Sequence, residues 1–268
     1  MENYICKTCG TQFAKTEMLP SSCPICEDSR QYVGWEGQQW TNLRVLQQTY
    51  HNEIKPLEPS LAGIGTQPSF AIGQRALLVQ APAGNILWDC ISLLDESTIK
   101  EIEALGGISA IAVSHPHFYS SMVEWSKAFD APVYIHADDR EWVMRPDPNI
   151  HFWEGDTMQL MDGMTLIRLG GHFKGSTVLH WREGAERRGA LLSGDTLQVV
   201  SDRRHVSFMY SFPNLIPLSA KVVRGIGERV DKIEFDRIYG AWWGMVVDAD
   251  AKAAVSRSVE RYMAALES

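Results

Sequence analysis

One stretch decides the fold of this chain, Ser114-His115-Pro116-His117-Phe118-Tyr119-Ser120. It follows the apolar run 108–113, which predicts a buried strand, and a helical pattern begins directly after it. Two histidines with one residue between them at a strand end can converge on one metal ion, because imidazole is a common ligand and strand ends hold side chains rigidly. The stretch therefore predicts a metal centre. Two histidines satisfied by ordinary hydrogen bonds are the competing interpretation.

Composition limits the classes of protein to consider. With 268 residues, 45% of them hydrophobic, the chain can build one large core and a small additional module. Its net charge of −8 leaves no basic stripe for a nucleic acid. No apolar run approaches the roughly 18 residues of a membrane span, and the first residues lack the pattern of a signal peptide. We expect a cytoplasmic protein that acts on a small molecule, without nucleic acid or membrane as partner. A homo-oligomer is possible, because an apolar interface could include some of the nine tryptophans.

The N-terminus carries a second candidate metal site. Cys6-x-x-Cys9 and Cys23-x-x-Cys26 are separated by 13 residues, a spacing that lets two knuckles present four thiolates to one ion. The segment 1–34 resembles zinc ribbons and rubredoxin-like modules. Zinc is the favoured ion and iron the alternative, since thiolate ligands suit both. A module of roughly 30 residues cannot bury enough apolar surface to fold alone, so the metal is expected to stabilise it.

The rest of the chain alternates strands and helices. Residues 35–68 are interpreted as a partly helical connector packed on a main domain, 69–268. Asp95 is a possible helix cap, and Ser121-x-x-Glu124 predicts a capping box. The alternation favours an α/β sandwich. The predicted strands are 76–79, 85–88, 108–113, 132–135, 157–161, 165–169, 177–181, 190–192 and 237–239, and the predicted helices are 96–105, 121–129, 219–230 and 251–266.

Further polar residues follow the strands of the second half. His172 stands in a glycine-rich turn, Gly170-Gly171-His172, and Asp195 ends the strand that runs into Ser193-Gly194. Together with the histidine pair and the final Tyr239-Gly240, this ordered set resembles the metallo-β-lactamase superfamily from about residue 70 to the end. The resemblance implies a four-layer αββα sandwich with a metal site along one edge.

The resemblance also assigns candidate ligands. His115, His117 and His172 match the three histidines of the family's first metal site, and Asp195 matches the carboxylate that bridges to a second ion. The second site is degenerate. Three positions that hold its other ligands in the family, an Asp and two His, are here occupied by Tyr119, Ser120 and Trp242. Two metals per chain are therefore expected, one in the cysteine module and one at the histidines.

Hydrolysis at a single zinc ion is the favoured function. Three imidazoles leave one position for a water whose pKa the zinc lowers. Asp195 is the candidate that orients or deprotonates this water, and Tyr119 is a candidate donor to a developing oxyanion. Arg203 and His205 could bind an anionic substrate and Trp242 could line its pocket, although solvated surface and core packing explain these three residues equally well.

Two alternatives remain open. His115, His172 and Asp195 form a possible 2-His-1-carboxylate set, which suits a mononuclear non-heme iron that activates dioxygen. Persulfide dioxygenases of this superfamily are similar in using such a triad, and a rubredoxin-like module could then pass electrons. In the other alternative the chain binds metal without catalysis. Metal identity and oxygen uptake discriminate among the three.

Overall fold

The chain divides into two compact units, Met1–Trp153 and Glu154–Ser268. The computed structural model describes residues 1–267, with the backbone alone at residue 267. The cysteine module thus shares a unit with the histidine pair. Across residues 1–267 we find no helix whose length and apolar character together would let it cross a lipid bilayer.

The cysteine module begins the first unit and is organised by a small antiparallel ribbon. Two small clusters of buried residues lie here, one of Ile5 and Leu46 with Leu93 from beyond the module, and one of the four cysteines with Ile25. Such a small core agrees with the expectation that the module depends on a metal. The elements are β1 (Tyr4–Cys6), α1 (Pro24–Glu27), β2 (Trp40–Asn42) and α2 (Leu43–Thr49).

A seven-stranded sheet forms the body of the first unit. The strands lie in the sheet in the order in which they occur in the chain. The first four pair antiparallel, and the fourth strand also begins a run of four parallel strands. The parallel strands end at one edge, so the residues that follow them meet there. The strands are β3 (His51–Glu58), β4 (Leu61–Gln67), β5 (Arg75–Val79), β6 (Ile86–Trp88), β7 (Ala110–Ala112), β8 (Val133–His136) and β9 (Ile150–Trp153), and the helices are α3 (Glu96–Ala104) and α4 (Met122–Phe129), with 3₁₀ turns at Pro116–Phe118 and Ala137–Trp142.

The second unit contains a six-stranded sheet covered by two helices. Its strand order is β10-β11-β12-β13-β18-β19, and the pair β13 and β18 is parallel. Apolar residues spaced along the two longer helices, among them Val223, Ile226 and Val255, pack into one core with strand residues. The strands are β10 (Thr157–Met161), β11 (Met164–Arg168), β12 (Thr177–Trp181), β13 (Ala190–Gly194), β14 (Gln198–Val199), β15 (Val206–Ser207), β16 (Met209–Ser211), β17 (Ile216–Pro217), β18 (Arg237–Gly240) and β19 (Val246–Val247), and the helices are α5 (Gly184–Arg187), α6 (Ala220–Val230) and α7 (Ala251–Glu267).

Two local features differ from the sequence predictions. The segment 35–68, interpreted as a partly helical connector, contains α2 but also supplies β3 and β4 to the seven-stranded sheet. The predicted capping box at Ser121 is wrong, because the Ser121 hydroxyl donates to the carbonyls of Ile91 and Ser92 at 3.1 and 2.9 Å. The Asp95 cap is confirmed, since its carboxylate accepts from Thr98 N at 2.8 Å.

Candidate metal centres

Four cysteines gather in the N-terminal module. Cys6 ends β1, Cys9 lies in the turn that follows, and Cys23 and Cys26 bracket the start of α1. Their Sγ atoms all lie within 4.8 Å of one another, and every side chain is buried. The structure thus brings together the complete predicted set, named here the cysteine cluster.

The sulfur spacing fits a tetrahedral metal site. The Sγ atoms of Cys6 and Cys26 are 3.6 Å apart, and those of Cys9 and Cys23 are 3.7 Å apart. Four thiolates at the usual zinc distance would be separated by about 3.8 Å, whereas a disulfide needs about 2.05 Å. Gln38 Nε2 donates to Cys6 Sγ at 3.2 Å. Hydrogen bonding with Cys23, aided by burial, raises the pKa of the Cys9 thiol well above its ordinary value.

The stretch 114–121, named here the histidine loop, begins at the edge where the parallel strands of the first unit end. His115 has extended backbone, with φ −171° and ψ 172°, and precedes the 3₁₀ turn that contains His117. Both imidazoles are buried, with ring centroids 5.2 Å apart. The turn brings two rings of one short segment to the same place, as the sequence spacing predicts.

A buried carboxylate supports His115 through one serine. Ser114 Oγ lies 2.9 Å from His115 Nδ1, and Ser114 N donates to Asp89 Oδ1 at 2.8 Å. The Ser114 hydroxyl also hydrogen bonds to the Asp89 carboxyl group, while burial raises the pKa of Asp89 to about 7. Asp89 follows β6 directly, so the neighbouring parallel strands place it beside Ser114. The linked groups of Asp89, Ser114 and His115 thus hold this imidazole through its Nδ1 atom.

His172 and Asp195 lie in the second unit. Gly170 and Gly171, with φ of +67° and +89°, turn the chain tightly after β11, and a Cβ at Gly171 would lie 2.9 Å from Leu218 Cδ1. His172 Nδ1 lies 3.1 Å from Met209 O, which can only accept, so Nδ1 carries the proton and Nε2 the lone pair. Asp195 follows β13 and is buried.

The predicted ligands form a second cluster. Candidate ligand atoms of His115, His117, His172 and Asp195 all lie within 4.8 Å of one another, and all four side chains are buried. Three imidazoles and one carboxylate are a donor set that zinc and iron both accept. This group is named the histidine cluster, and its residues fit the metal that the sequence predicts.

At the degenerate second site, Tyr119 and Ser120 make hydrogen bonds to other protein groups. Tyr119 is buried, and its hydroxyl donates to Asp139 O at 3.3 Å. Burial, with the nearby Asp139 carboxylate, raises the pKa of Tyr119 well above its ordinary value, so the phenol stays protonated. Ser120 Oγ donates to Cys90 O at 3.2 Å and accepts from Gln74 Nε2 at 3.0 Å. Trp242 lies in the turn between β18 and β19, and an indole offers no ligand atom.

The remaining predicted site residues lie elsewhere in the second unit. Arg203 and His205 lie in the loop between β14 and β15, where Arg203 is exposed and His205 Nδ1 is 2.8 Å from Asp202 Oδ2. Their substrate-binding role, like that of Trp242, stays a prediction. The sequence reasoning missed the support of His115 by Ser114 and Asp89. The position of Asp89 directly after a strand that neighbours β7 was the available signal.

Asp89→Asn is expected to flatten the pH dependence of stability. Because burial raises the Asp89 pKa to about 7, the folded chain binds a proton that the unfolded chain has lost above about pH 4. The wild-type free energy of unfolding should therefore fall as the pH rises through this window, by up to about 4 kcal/mol. Urea unfolding between pH 4.5 and 8, at constant metal content, measures the slope.

Asp95→Asn is the matched control. Burial opposes ionisation of Asp95, but hydrogen bonds from Thr98 and Ser97 outweigh it and lower its pKa. The Asp95 carboxyl group is thus ionised in both the folded and the unfolded chain across most of this pH range. Asp95→Asn should therefore leave the dependence of the free energy of unfolding on pH unchanged. Equal slopes in wild type and Asp89→Asn would contradict the assignment.

Comparison with known proteins gives one relative over the full length. No family model matches the chain. The uncharacterized protein YmaE of Bacillus subtilis (strain 168) is 52% identical over 270 residues, which cover 100% of this chain and 98% of YmaE.

Solved structures show the fold. The DIM-1 metallo-β-lactamase superposes with a TM-score of 0.59 at 12% identity, over 81% of this chain and 99% of that chain. The metallo-β-lactamase FIM-1 of Pseudomonas aeruginosa, in a mono-zinc form, gives 0.57 at 12% identity, over 79% and 96%. A Cronobacter sakazakii metallo-β-lactamase with a HARLDQ motif gives 0.51 at 18% identity, over 80% and 94%. The predicted fold class, α/β with the metallo-β-lactamase fold, is confirmed, and the predicted four-cysteine cluster is present near the N-terminus.

Proposed function

This chain belongs to the same protein family as YmaE and has the metallo-β-lactamase fold, and from that premise we propose that it is a hydrolase which activates water at one metal ion. The observation that carries the proposal is the buried histidine cluster, whose candidate ligand atoms lie within 4.8 Å of one another. Burial shields such a set from bulk water and favours binding of a cation to ligands that already converge.

A single ion is proposed because the residues at the second site cannot replace its ligands. The Tyr119 phenol stays protonated and bonds to a carbonyl, and the Ser120 hydroxyl is held by Gln74 and Cys90. Trp242 has no ligand atom. FIM-1, which has the same fold, has been crystallised in a mono-zinc form.

Each residue at the site then has a separate role in the proposed reaction. A zinc ion held by the cluster would lower the pKa of a coordinated water from about 15.7 toward about 7. Asp195 is proposed to orient that water and to accept its proton. The Asp89–Ser114–His115 chain and the His172–Met209 hydrogen bond hold two imidazoles in fixed orientations.

The substrate class follows from this chemistry. An activated water attacks a carbonyl or phosphoryl centre, so we propose a small ester, thioester, lactone or phosphoester as substrate. Arg203 and His205 are proposed to attract an anionic group and Trp242 to line the pocket. Tyr119 as oxyanion donor is the weakest of these assignments, because its hydroxyl already donates to Asp139 O.

A substrate panel tests the proposal. The zinc-loaded chain is expected to hydrolyse at least one of the four ester classes without consuming oxygen, and Asp195→Asn should lower that rate by about 10²-fold or more through loss of the proton acceptor. The same samples are followed with an oxygen electrode. Oxygen uptake that depends on added Fe(II), with every ester inert, would favour the iron oxidoreductase instead. Inertness in both assays would favour a non-catalytic protein.

A further inference from the structure

The turn of the cysteine cluster packs directly on the histidine loop. Gln12 N, three residues after Cys9, donates to Ser120 O at 3.0 Å. Ser92 Oγ donates to Gly10 O at 2.8 Å. Gly10 has φ +81°, and a Cβ there would lie 2.5 Å from Ser92 Oγ, so only glycine permits this approach. The backbone of the cysteine module thus forms one wall of the loop that carries His115 and His117.

A partly buried polar network reinforces the same contact. Gln12 Nε2 donates to Glu124 Oε1 at 3.2 Å, at the start of α4. Arg145 Nη1 donates to both Gln12 Oε1 and Glu124 Oε1, and its side chain is only 12% exposed. Ala14 N donates to Met144 O at 3.1 Å. Charge-assisted bonds with little exposure are stronger than surface pairs, so this network can fix the module against α4.

The histidine loop is also held by residues that directly precede β5 or follow β6. Ser120 Oγ bonds to Cys90 O and Gln74 Nε2, and Ser121 Oγ bonds to Ile91 O. Between the module and residues 119–123 a void of about 10 Å³ remains, no more than one water needs. The loop therefore has little room to move while the module is folded.

We infer that the folded cysteine module positions the histidine loop for metal binding, through the contact of Gln12, Arg145 and Glu124. Ser120 is held from two directions, since its carbonyl accepts from Gln12 N of the module while its hydroxyl bonds to Gln74 and Cys90. The inference rests on the proposed metal site in the histidine cluster, but not on catalysis.

Arg145→Met tests the inference in the full chain with the cysteine cluster loaded. Methionine keeps the apolar stem and removes the bonds to Gln12 and Glu124. We expect amides 118–123 to exchange hydrogen at least about 10-fold faster and zinc affinity of the histidine cluster to fall by about 10-fold, as for loss of an outer support. Competition with a chelating dye measures the affinity, and His172→Ala identifies which zinc belongs to the cysteine cluster. Arg145→Lys keeps a positive charge near Glu124, so its amide exchange and zinc affinity should lie between those of wild type and Arg145→Met.

Lys127→Met is the matched control, because Lys127 lies on α4 like Glu124, and its ammonium group pairs with the Asp147 carboxylate at 3.1 Å. It should change neither measurement. Unaltered exchange and affinity in Arg145→Met would overturn the inference, and so would equal changes in Arg145→Met and Lys127→Met. If Arg145→Met speeds amide exchange but the wild-type chain hydrolyses no substrate, the inference stands and the proposed function fails.

Discussion

Replacing His172 with alanine is expected to remove one metal ion per chain and to lower hydrolytic turnover by about 10³-fold or more, which corresponds to at least about 4 kcal/mol of barrier. His172 belongs to the histidine cluster, and its tautomer is set by Met209 O. Its loss leaves two imidazoles and one carboxylate, a weaker set for zinc. Metal analysis and turnover of the best substrate measure the two effects.

His180→Ala is the control for this substitution. His180 lies on β12 of the same unit, its Nε2 is 2.9 Å from Glu234 O, and it is outside the histidine cluster. It should keep both metals. Asp195→Asn should retain more metal than His172→Ala while losing most turnover, because an amide can still ligate but cannot accept the proton. Full metal content and full turnover in His172→Ala would contradict the assignment of His172 as a metal ligand.

Replacing Cys26 with serine is expected to release the metal of the cysteine cluster and to unfold the module. The four thiols are buried and the module has few aliphatic contacts of its own, so metal binding is the main term that stabilises it. Zinc contributes about 10–16 kcal/mol to comparable small modules, far more than the cost of most single substitutions. Thermal unfolding and rapid proteolysis within residues 1–34 report the effect.

Cys90→Ala is the matched control for the loss of a thiol. Cys90 is buried, but it is not a member of the cysteine cluster. It should keep both metals and lose only about 1–2 kcal/mol of stability, as expected for a small core residue. A Cys26→Ser chain as stable and as protease-resistant as Cys90→Ala would show that the module folds without its metal.

The sequence predicted well whatever depends on short-range pattern. The apolar runs at Arg75–Val79 and Thr177–Trp181 and the hairpin at Thr157–Arg168 are strands as expected, because local periodicity determines them. The two clusters were also predictable. Cysteine spacing and the ordered set of strand-end histidines restrict ligands to few positions.

What the sequence could not predict depends on partners far apart in the chain. The strands β3 and β4, within 51–67, contain glycines, a proline and charged residues, so they lack the apolar pattern of a strand. Their place in the sheet is specified by pairing, of β4 with β5 and of β3 with β4. Ser121 carries the motif of a cap, yet carbonyls some 30 positions earlier compete successfully for its hydroxyl. The contact of Gln12 with Arg145 joins residues 133 positions apart.

Metal content of the wild-type chain, with absorption-edge spectroscopy of each ion, tests the central claim most directly. The account predicts two ions per chain, one with sulfur ligands and one with nitrogen and oxygen ligands, and His172→Ala should lose only the second. Three ions per chain, or two ions about 3.5 Å apart as in two-metal enzymes, would contradict a single-metal histidine cluster.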